Sequence, residues 1–319
     1  MRVRVGTFNL NNLFSRFNFS AEVGAIGDIG VKTTTTFRFE DPTSFRLRTY
    51  QGRLVKGKPP TERARVAERI GQLDVDVLAV QEVEDVDTLH RFAQDELAEL
   101  GYRFAVLVEG NDPRLIDVGV LSRLPIGGVT SWRHAVHPGG TEPVFSRDLV
   151  EVDILDAKRE KRLFTLFNTH LKSHYVPFGE DQQAGAAAAD ERRRQQAAAI
   201  ARIVTLRTRP NSRYLVVGDM NDPPESEFLG PMRDGLPLVD GLAEATEDRP
   251  APADDPPAPS RPWTHRFKES GVPAHYELLD HVWISAGLSA KQTGAGIGRR
   301  RRLTRDGSDH DPAWVELTL

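Results

Sequence analysis

Asp219 and Asn221 follow directly on an apolar run, Tyr214 to Gly218, and Pro223-Pro224 ends the segment. A carboxylate and a carboxamide two residues apart point to the same face of an extended chain. A buried strand whose end delivers both to a sheet edge is one way to build a hydrolytic site. Asn-Asp-Pro is also good turn chemistry, so this stretch alone leaves an Asx turn open. Other apolar runs end in the same style, at Asn9, at Glu82, and at Asn168 with His170. Asp280 sits in a further run, and Asp309 with His310 precedes the last one. This set holds carboxylates, carboxamides and imidazoles, with no cysteine and no paired His-x-His. Oxygen-rich ligation suits a hard cation, Mg²⁺ or Mn²⁺, which keeps several waters and bridges phosphate. Zinc is disfavoured, since it wants two or three histidines at close spacing. His170 and His310 are then left for proton transfer or for holding phosphate oxygens.

For these residues to meet, the apolar runs must be strands whose ends converge on one rim. Val3 to Leu10 and Asp76 to Val83 read as the first two strands, and Tyr214 to Gly218 as a short, fully buried one. Phe104 to Val108, Asp117 to Arg123, Asp148 to Leu155 and Leu163 to Leu171 follow one another with almost no helix between, which predicts antiparallel pairing. Leu278 to Ser285 and Ala313 to Leu319 complete the strands. Thr61 can cap a helix carrying Val66, Ile70 and Leu73. A second helix presents Leu89, Phe92, Ala93, Leu97 and Leu100 and stops at Gly101. A third, within residues 181–209, carries Ala197, Ile200, Ile203 and Val204, and is expected to begin only after a disordered Ala/Gly tract at about 184–189. The chain reads as one domain over 1–319, with insertion loops at about 18–60 and at 249–262, the latter holding six prolines.

The 319 residues, 39% hydrophobic and 28% charged, fit a soluble globular protein with a sizeable core. A net charge of −4 argues against bulk attraction to nucleic acid or anionic membrane. The absence of cysteine excludes disulfides, thiol nucleophiles and Cys-ligated zinc. No signal-peptide apolar region and no run of 18 apolar residues is present, so the expected compartment is cytoplasmic and no membrane span is expected. Nothing in the sequence points to a partner protein.

Seven short motifs occur in a telling order: Thr7-Phe8-Asn9, Gln81-Glu82-Val83, Asp117 to Leu121, Asn168 to Leu171, Gly218 to Asp222, Leu279-Asp280-His281 and Ser308-Asp309-His310. In that order the chain resembles the endonuclease/exonuclease/phosphatase superfamily, which includes deoxyribonuclease-I-like nucleases, abasic-site endonucleases and inositol-polyphosphate 5-phosphatases. The resemblance implies an α/β (α+β) fold, a four-layer αββα sandwich of two mixed β-sheets flanked by helices, with the site at one edge between the sheets. It implies Glu82 as the main metal ligand with Asn9 and Asp309 near the metal. It further implies that Asp219 aligns or deprotonates the attacking water and is held by Asn221. By the same resemblance His310 is expected to pair with Asp280, and His170 to be the second histidine on the scissile phosphate. A cation and protonated imidazoles neutralise the charge that grows in the transition state.

Arg114 and Arg147 read as phosphate clamps or as strand-edge charges, and Arg299 to Arg302 as a solvated run. Trp263 lies where relatives carry an aromatic-Thr-aromatic substrate loop, with His265 in place of the second aromatic. Three functions remain open. The leading one is a metal-dependent phosphodiesterase or nuclease, acting on a phosphate ester with nucleic acid among the candidates. The others are a phosphomonoesterase of inositol-type or other small phosphates, and a binding module that has lost its chemistry. The last predicts a missing ligand or histidine, and none is missing.

Overall fold

A computed structural model describes residues 1–14, 57–176, 179–254, 256–269 and 271–319. The expected insertion at 18–60 therefore lies, up to residue 56, outside the described residues. In chain order the first elements are β1 (Arg2–Leu13), α1 (Pro60–Leu73), β2 (Val77–Val83), α2 (Val86–Asp95), β3 (Phe104–Leu107) and β4 (Asp117–Ser122). There follow β5 (Ile126–Ser131), β6 (Leu149–Leu155), β7 (Arg162–His170), α3 (Gln182–Arg207), β8 (Tyr214–Asp219), α4 (Gly230–Arg233) and β9 (Leu238–Asp240). The chain closes with β10 (Thr246–Glu247), β11 (His265–Phe267), β12 (His275–Glu277), β13 (Asp280–Ser285), α5 (Ala286–Ser289), β14 (Gln292–Ile297) and β15 (Ala313–Thr318).

Two mixed sheets result. One runs β10-β14-β15-β1-β2-β4-β3 and the other β5-β6-β7-β8-β13-β9, with β11 and β12 as a separate hairpin. β1 and β2 are parallel, as are β7 and β8, while β2–β4 and β6–β7 are antiparallel. The layers follow from the two-residue period of the strands. Val3 and Val5 of β1, Val77 and Ala79 of β2, Phe164 and Leu166 of β7, and Leu215 and Val217 of β8 meet between the sheets. Their neighbours point the other way. Phe8, Leu78 and Val80 pack under Val66, Ile70 and Leu73 of α1 and Leu89 and Phe92 of α2. Phe167, Tyr214 and Val216 pack under Ala197, Ile200 and Val204 of α3. The order is helix, sheet, sheet, helix, as expected.

Several elements depart from the sequence reading. α3 begins at Gln182 and includes the Ala/Gly tract expected to be disordered, because Asp181 accepts from the Ala184 amide at 2.8 Å and caps it. The second helix ends at Asp95, and a short 3₁₀ turn, Ala98–Leu100, carries the chain to Gly101 at φ +76°. β14 was not anticipated; its Gln, Thr and Gly residues carry little strand signal, and pairing with β15 supplies the order. The proline-rich loop is pinned at Asp254, which accepts from Arg266 Nε at 2.5 Å and from the Tyr276 hydroxyl.

Candidate active site

The same parity that builds the inner layer delivers the polar residues. On β1 the inward set Val3, Val5 continues to Thr7 and Asn9, and on β7 the set Phe164, Leu166 continues to Asn168 and His170. On β8 Leu215 and Val217 lead to Asp219, and on β13 Ile284 and Val282 lead back to Asp280. Each strand thus changes from apolar to polar on its inner face at the same edge of the sandwich. Glu82 is the exception, since parity reserves the inward place for Gln81. The β2–β4 register shifts between Val80 and Val83, and Glu82 sits at φ +60°. A bulge of this kind re-aims one side chain. Glu82 Oε2 then accepts from the Asn12 amide at 3.0 Å.

Below the rim a polar layer ties the sheets. Asn168 donates to Val80 O at 3.2 Å and Gly119 O at 2.8 Å, and accepts from Gln81 Nε2 at 2.8 Å. At the rim, Asp219 accepts from Asn9 Nδ2 and from the Asn221 amide, both at 2.9 Å. Its Oδ2 lies 3.4 Å from His170 Nε2 and 3.8 Å from His310 Nε2. Asn221, at φ +53°, thus holds Asp219 through its backbone, while its carboxamide donates to Leu171 O at 3.1 Å. Burial pushes the Asp219 carboxyl up to about 7, against the pull of His310.

His310 Nδ1 is 2.7 Å from Asp280 Oδ2. The two come from different sheets, Asp280 at the start of β13 and His310 just before β15, and not from neighbouring strands of one sheet. Burial alone would depress the imidazole, but Asp280, Asp219 and Asp309 outweigh it and push it up to about 10. His170 goes the opposite way: burial, followed by the positive charges of Arg147, His310 and Arg114, holds it well below 6.5. One imidazole is therefore a cation at neutral pH and the other is neutral, where two cations were expected.

Asp309 is half-exposed, with Oδ2 3.8 Å from His265 Nε2. Burial would raise it, yet His265 and His310 hold it well below the usual carboxylate range. Ser308 fixes this loop to β1 by donating to Asn9 O at 2.7 Å and accepting from the His310 amide at 3.0 Å. Two clusters have ligand atoms within 4.8 Å of one another, Asp219-Asp280-His310 and His265-Asp309-His310. A protonated imidazole does not ligate, and His310 is shared by both. Burial and then the charge of Asp309 raise the Glu82 carboxyl, a repulsion that a divalent cation held near both would relieve.

The sequence matches the endonuclease/exonuclease/phosphatase family over residues 6–310. The chain belongs to that family. It is accordingly a metal-dependent phosphoester hydrolase. Similar solved structures cover the whole chain at low identity, and so speak for the fold alone. An endonuclease/exonuclease/phosphatase from Bacteroides vulgatus superposes with a TM-score of 0.59 at 17% identity, covering 100% of this chain and 99% of that one. An AP endonuclease from Archaeoglobus fulgidus gives 0.59 at 14% identity, covering 99% and 100%. A mannosyl-6-phosphatase from Bacteroides thetaiotaomicron gives 0.56 at 14%, covering 99% and 100%. No curated protein matches the sequence. Among the described residues no helix is long and apolar enough to cross a membrane.

Not every expected residue of this family member reaches the rim. Trp263 is 1% exposed, with Arg299 stacked 3.7 Å over its ring and Tyr276 against its edge at 4.8 Å. It packs a small core and offers no face to a substrate. The expected solvated run is also corrected. Arg299 and Arg300 are buried with Arg69 of α1 around one carboxylate, Asp311, at 3.2, 2.9 and 2.6 Å. Arg147 is buried and donates to Asp112 at 3.1 Å and to Leu171 O at 2.5 Å, while half-exposed Arg114 meets Asp112 at 3.0 Å. Two residues were missed. His265 lies with its ring 4.8 Å from that of His310, and Thr264 Oγ1 accepts from the Leu279 and Asp280 amides at 3.1 and 3.0 Å. Their signal was the Trp-Thr-His loop, read as a substrate platform when it instead fixes the Asp280–His310 pair.

Proposed function

We propose that the protein hydrolyses phosphodiesters with Mg²⁺ or Mn²⁺ bound by Glu82, Asp309 and Asn9. The observation that carries this reading is the opposition of two differently tuned groups. Asp219, raised to about 7, lies 3.8 Å from His310, raised to about 10. A carboxylate near neutrality is a competent general base for water, and a cationic imidazole stabilises the growing charge on phosphate oxygens. The divalent ion supplies charge neutralisation at the phosphate when bound. Asn9 and the Asn221 amide orient Asp219, Asp280 keeps His310 protonated, and neutral His170, its Nε2 3.4 Å from Asp219 Oδ2, adds no charge beside it. Accessible esters are preferred to long duplex DNA, because net charge is −4 and Trp263 is buried away from any base.

The test is turnover of bis(p-nitrophenyl) phosphate, single-stranded DNA, duplex DNA, RNA and a small phosphomonoester with Mg²⁺ or Mn²⁺. Diesters should be cleaved, short strands faster than duplex, and chelator should abolish activity until the ion returns. Glu82→Gln should weaken metal binding with the fold retained. Turnover of the monoester alone would replace this reading with a phosphomonoesterase, and full activity in chelator would remove the metal.

A further inference from the structure

The loop that carries Asp309 and His310 is held by its carbonyls. All five from Asp306 to His310 accept from buried cationic side chains. Arg69 donates to Asp306 O, Ser308 O and His310 O at 3.4, 3.5 and 2.9 Å, and Lys58 Nζ donates to Gly307 O at 2.6 Å. Arg300 Nη2 takes the remaining one, Asp309 O, at 2.7 Å. A grip on the backbone leaves the side chains of Asp309 and His310 free to face the rim. Arg69 and Lys58 tie the loop to α1 and to the residues just before it. Arg300 does something different. The same Nη2 lies 3.4 Å from Thr264 O, a carbonyl that also accepts from the Asp311 amide at 2.6 Å. Thr264 Oγ1 in turn accepts from the Asp280 amide at 3.0 Å. One nitrogen thus bridges the residue that anchors Asp280 and the residue next to His310. Arg300 is itself fixed: its Nε is 2.9 Å from Asp311 Oδ1, and its own amide donates to that oxygen at 3.2 Å. A guanidinium presents its donors in a rigid fork, and so sets the spacing of the groups it bridges.

We infer that Arg300 is a positioning residue for the hydrolysis, setting the register between Asp280 and His310. The inference rests on the role given to that pair above and deepens it: a buried guanidinium outside the rim determines how well the pair meets.

The test compares Asp280→Asn, Arg300→Lys and the double variant on bis(p-nitrophenyl) phosphate. Arg300→Lys keeps the charge and loses the fork. It should lower kcat by about tenfold to a hundredfold with KM nearly unchanged, the scale of a slightly misplaced catalytic group. In the Asp280→Asn background the same substitution should cost less than about threefold, because losses through one shared pair do not add. Additive losses overturn the inference, since they describe a general loosening of the fold. Arg301→Ala, the next residue, whose side chain pairs with Glu68, should leave kcat unchanged. Full kcat in Asp280→Asn is a failure of the hydrolytic reading. A loss there with none in Arg300→Lys is a failure of this inference alone. A measurement without substrate covers the case of no turnover. In EDTA, the His310 Nδ1 proton facing Asp280 should give a downfield, slowly exchanging NMR signal in the wild type, and Arg300→Lys should lose it to exchange. A signal absent from the wild type, or retained in the variant, overturns the inference whether or not any substrate is cut. Arg300→Gln, which relieves the repulsion among three guanidiniums around Asp311, replaces Arg300→Lys in both assays if the latter does not fold.

Discussion

His310 keeps its proton because three carboxylates surround a ring that burial would otherwise neutralise. The nearest, Asp280 at 2.7 Å, is itself buried, so the pair is little screened by solvent or salt. In EDTA, NMR titration of the wild type should show His310 protonated up to about 10. Asp280→Asn should lower that value while the fold persists, and should move the alkaline limb of the rate profile to lower pH. An unchanged His310 titration would mean that Asp280 is not the source of the shift. The same linkage fixes the sign for stability. A pKa raised from 6.5 stabilises the folded state fully below about 6.5, and this is lost as pH rises through about 10. At this scale the sequence was informative where a residue ends an apolar strand, because strand parity alone carries Asn9, His170, Asp219 and Asp280 to one face. It marked His265 only as part of a substrate loop, since its place beside His310 depends on that loop folding back from another part of the chain.

Among the elements, strands with strong alternation were legible and β14 was not, since its order comes from its partner and not from its own residues. α3 shows the complementary error. Alanine is the best helix former, but a tract without apolar periodicity gave no face to pack, and the cap at Asp181 decides where the helix starts. The Arg299–Arg302 run misled for a third reason: charges read as solvated unless their counter-ion is visible, and Arg69 is 242 residues from Asp311. That cluster binds α1 to the loop bearing Asp309 and His310, because Arg69 also donates to His310 O at 2.9 Å. Asp311→Asn leaves three buried guanidiniums short of one anion and should cost about 3–5 kcal/mol, read as a lower urea midpoint. Arg301→Ala, whose half-exposed side chain meets Glu68 at 2.7 Å, should cost less than about 1 kcal/mol in the same assay.

For the molecule as a whole, the reactive groups are divided between the sheets. One sheet and its loop carry Asn9, Glu82, Asp309 and His310, and the other carries His170, Asp219 and Asp280. The hydrogen bonds Asn9–Asp219, Gln81–Asn168 and Asp280–His310 all cross the gap. Leu166 packs between the sheets and Ile200 packs α3 on an outer face. Each truncation to alanine should cost about 2–5 kcal/mol. Leu166→Ala should also lower kcat, by up to about a hundredfold if the sheets settle 1 Å out of place. Ile200→Ala should leave kcat nearly intact, and equal losses in the two variants would refute the distinction. In mild urea, turnover should then decline while circular dichroism still reports both sheets in full. Catalysis here works like a vernier laid across two scales, registering a slip between them too small for either scale to show on its own.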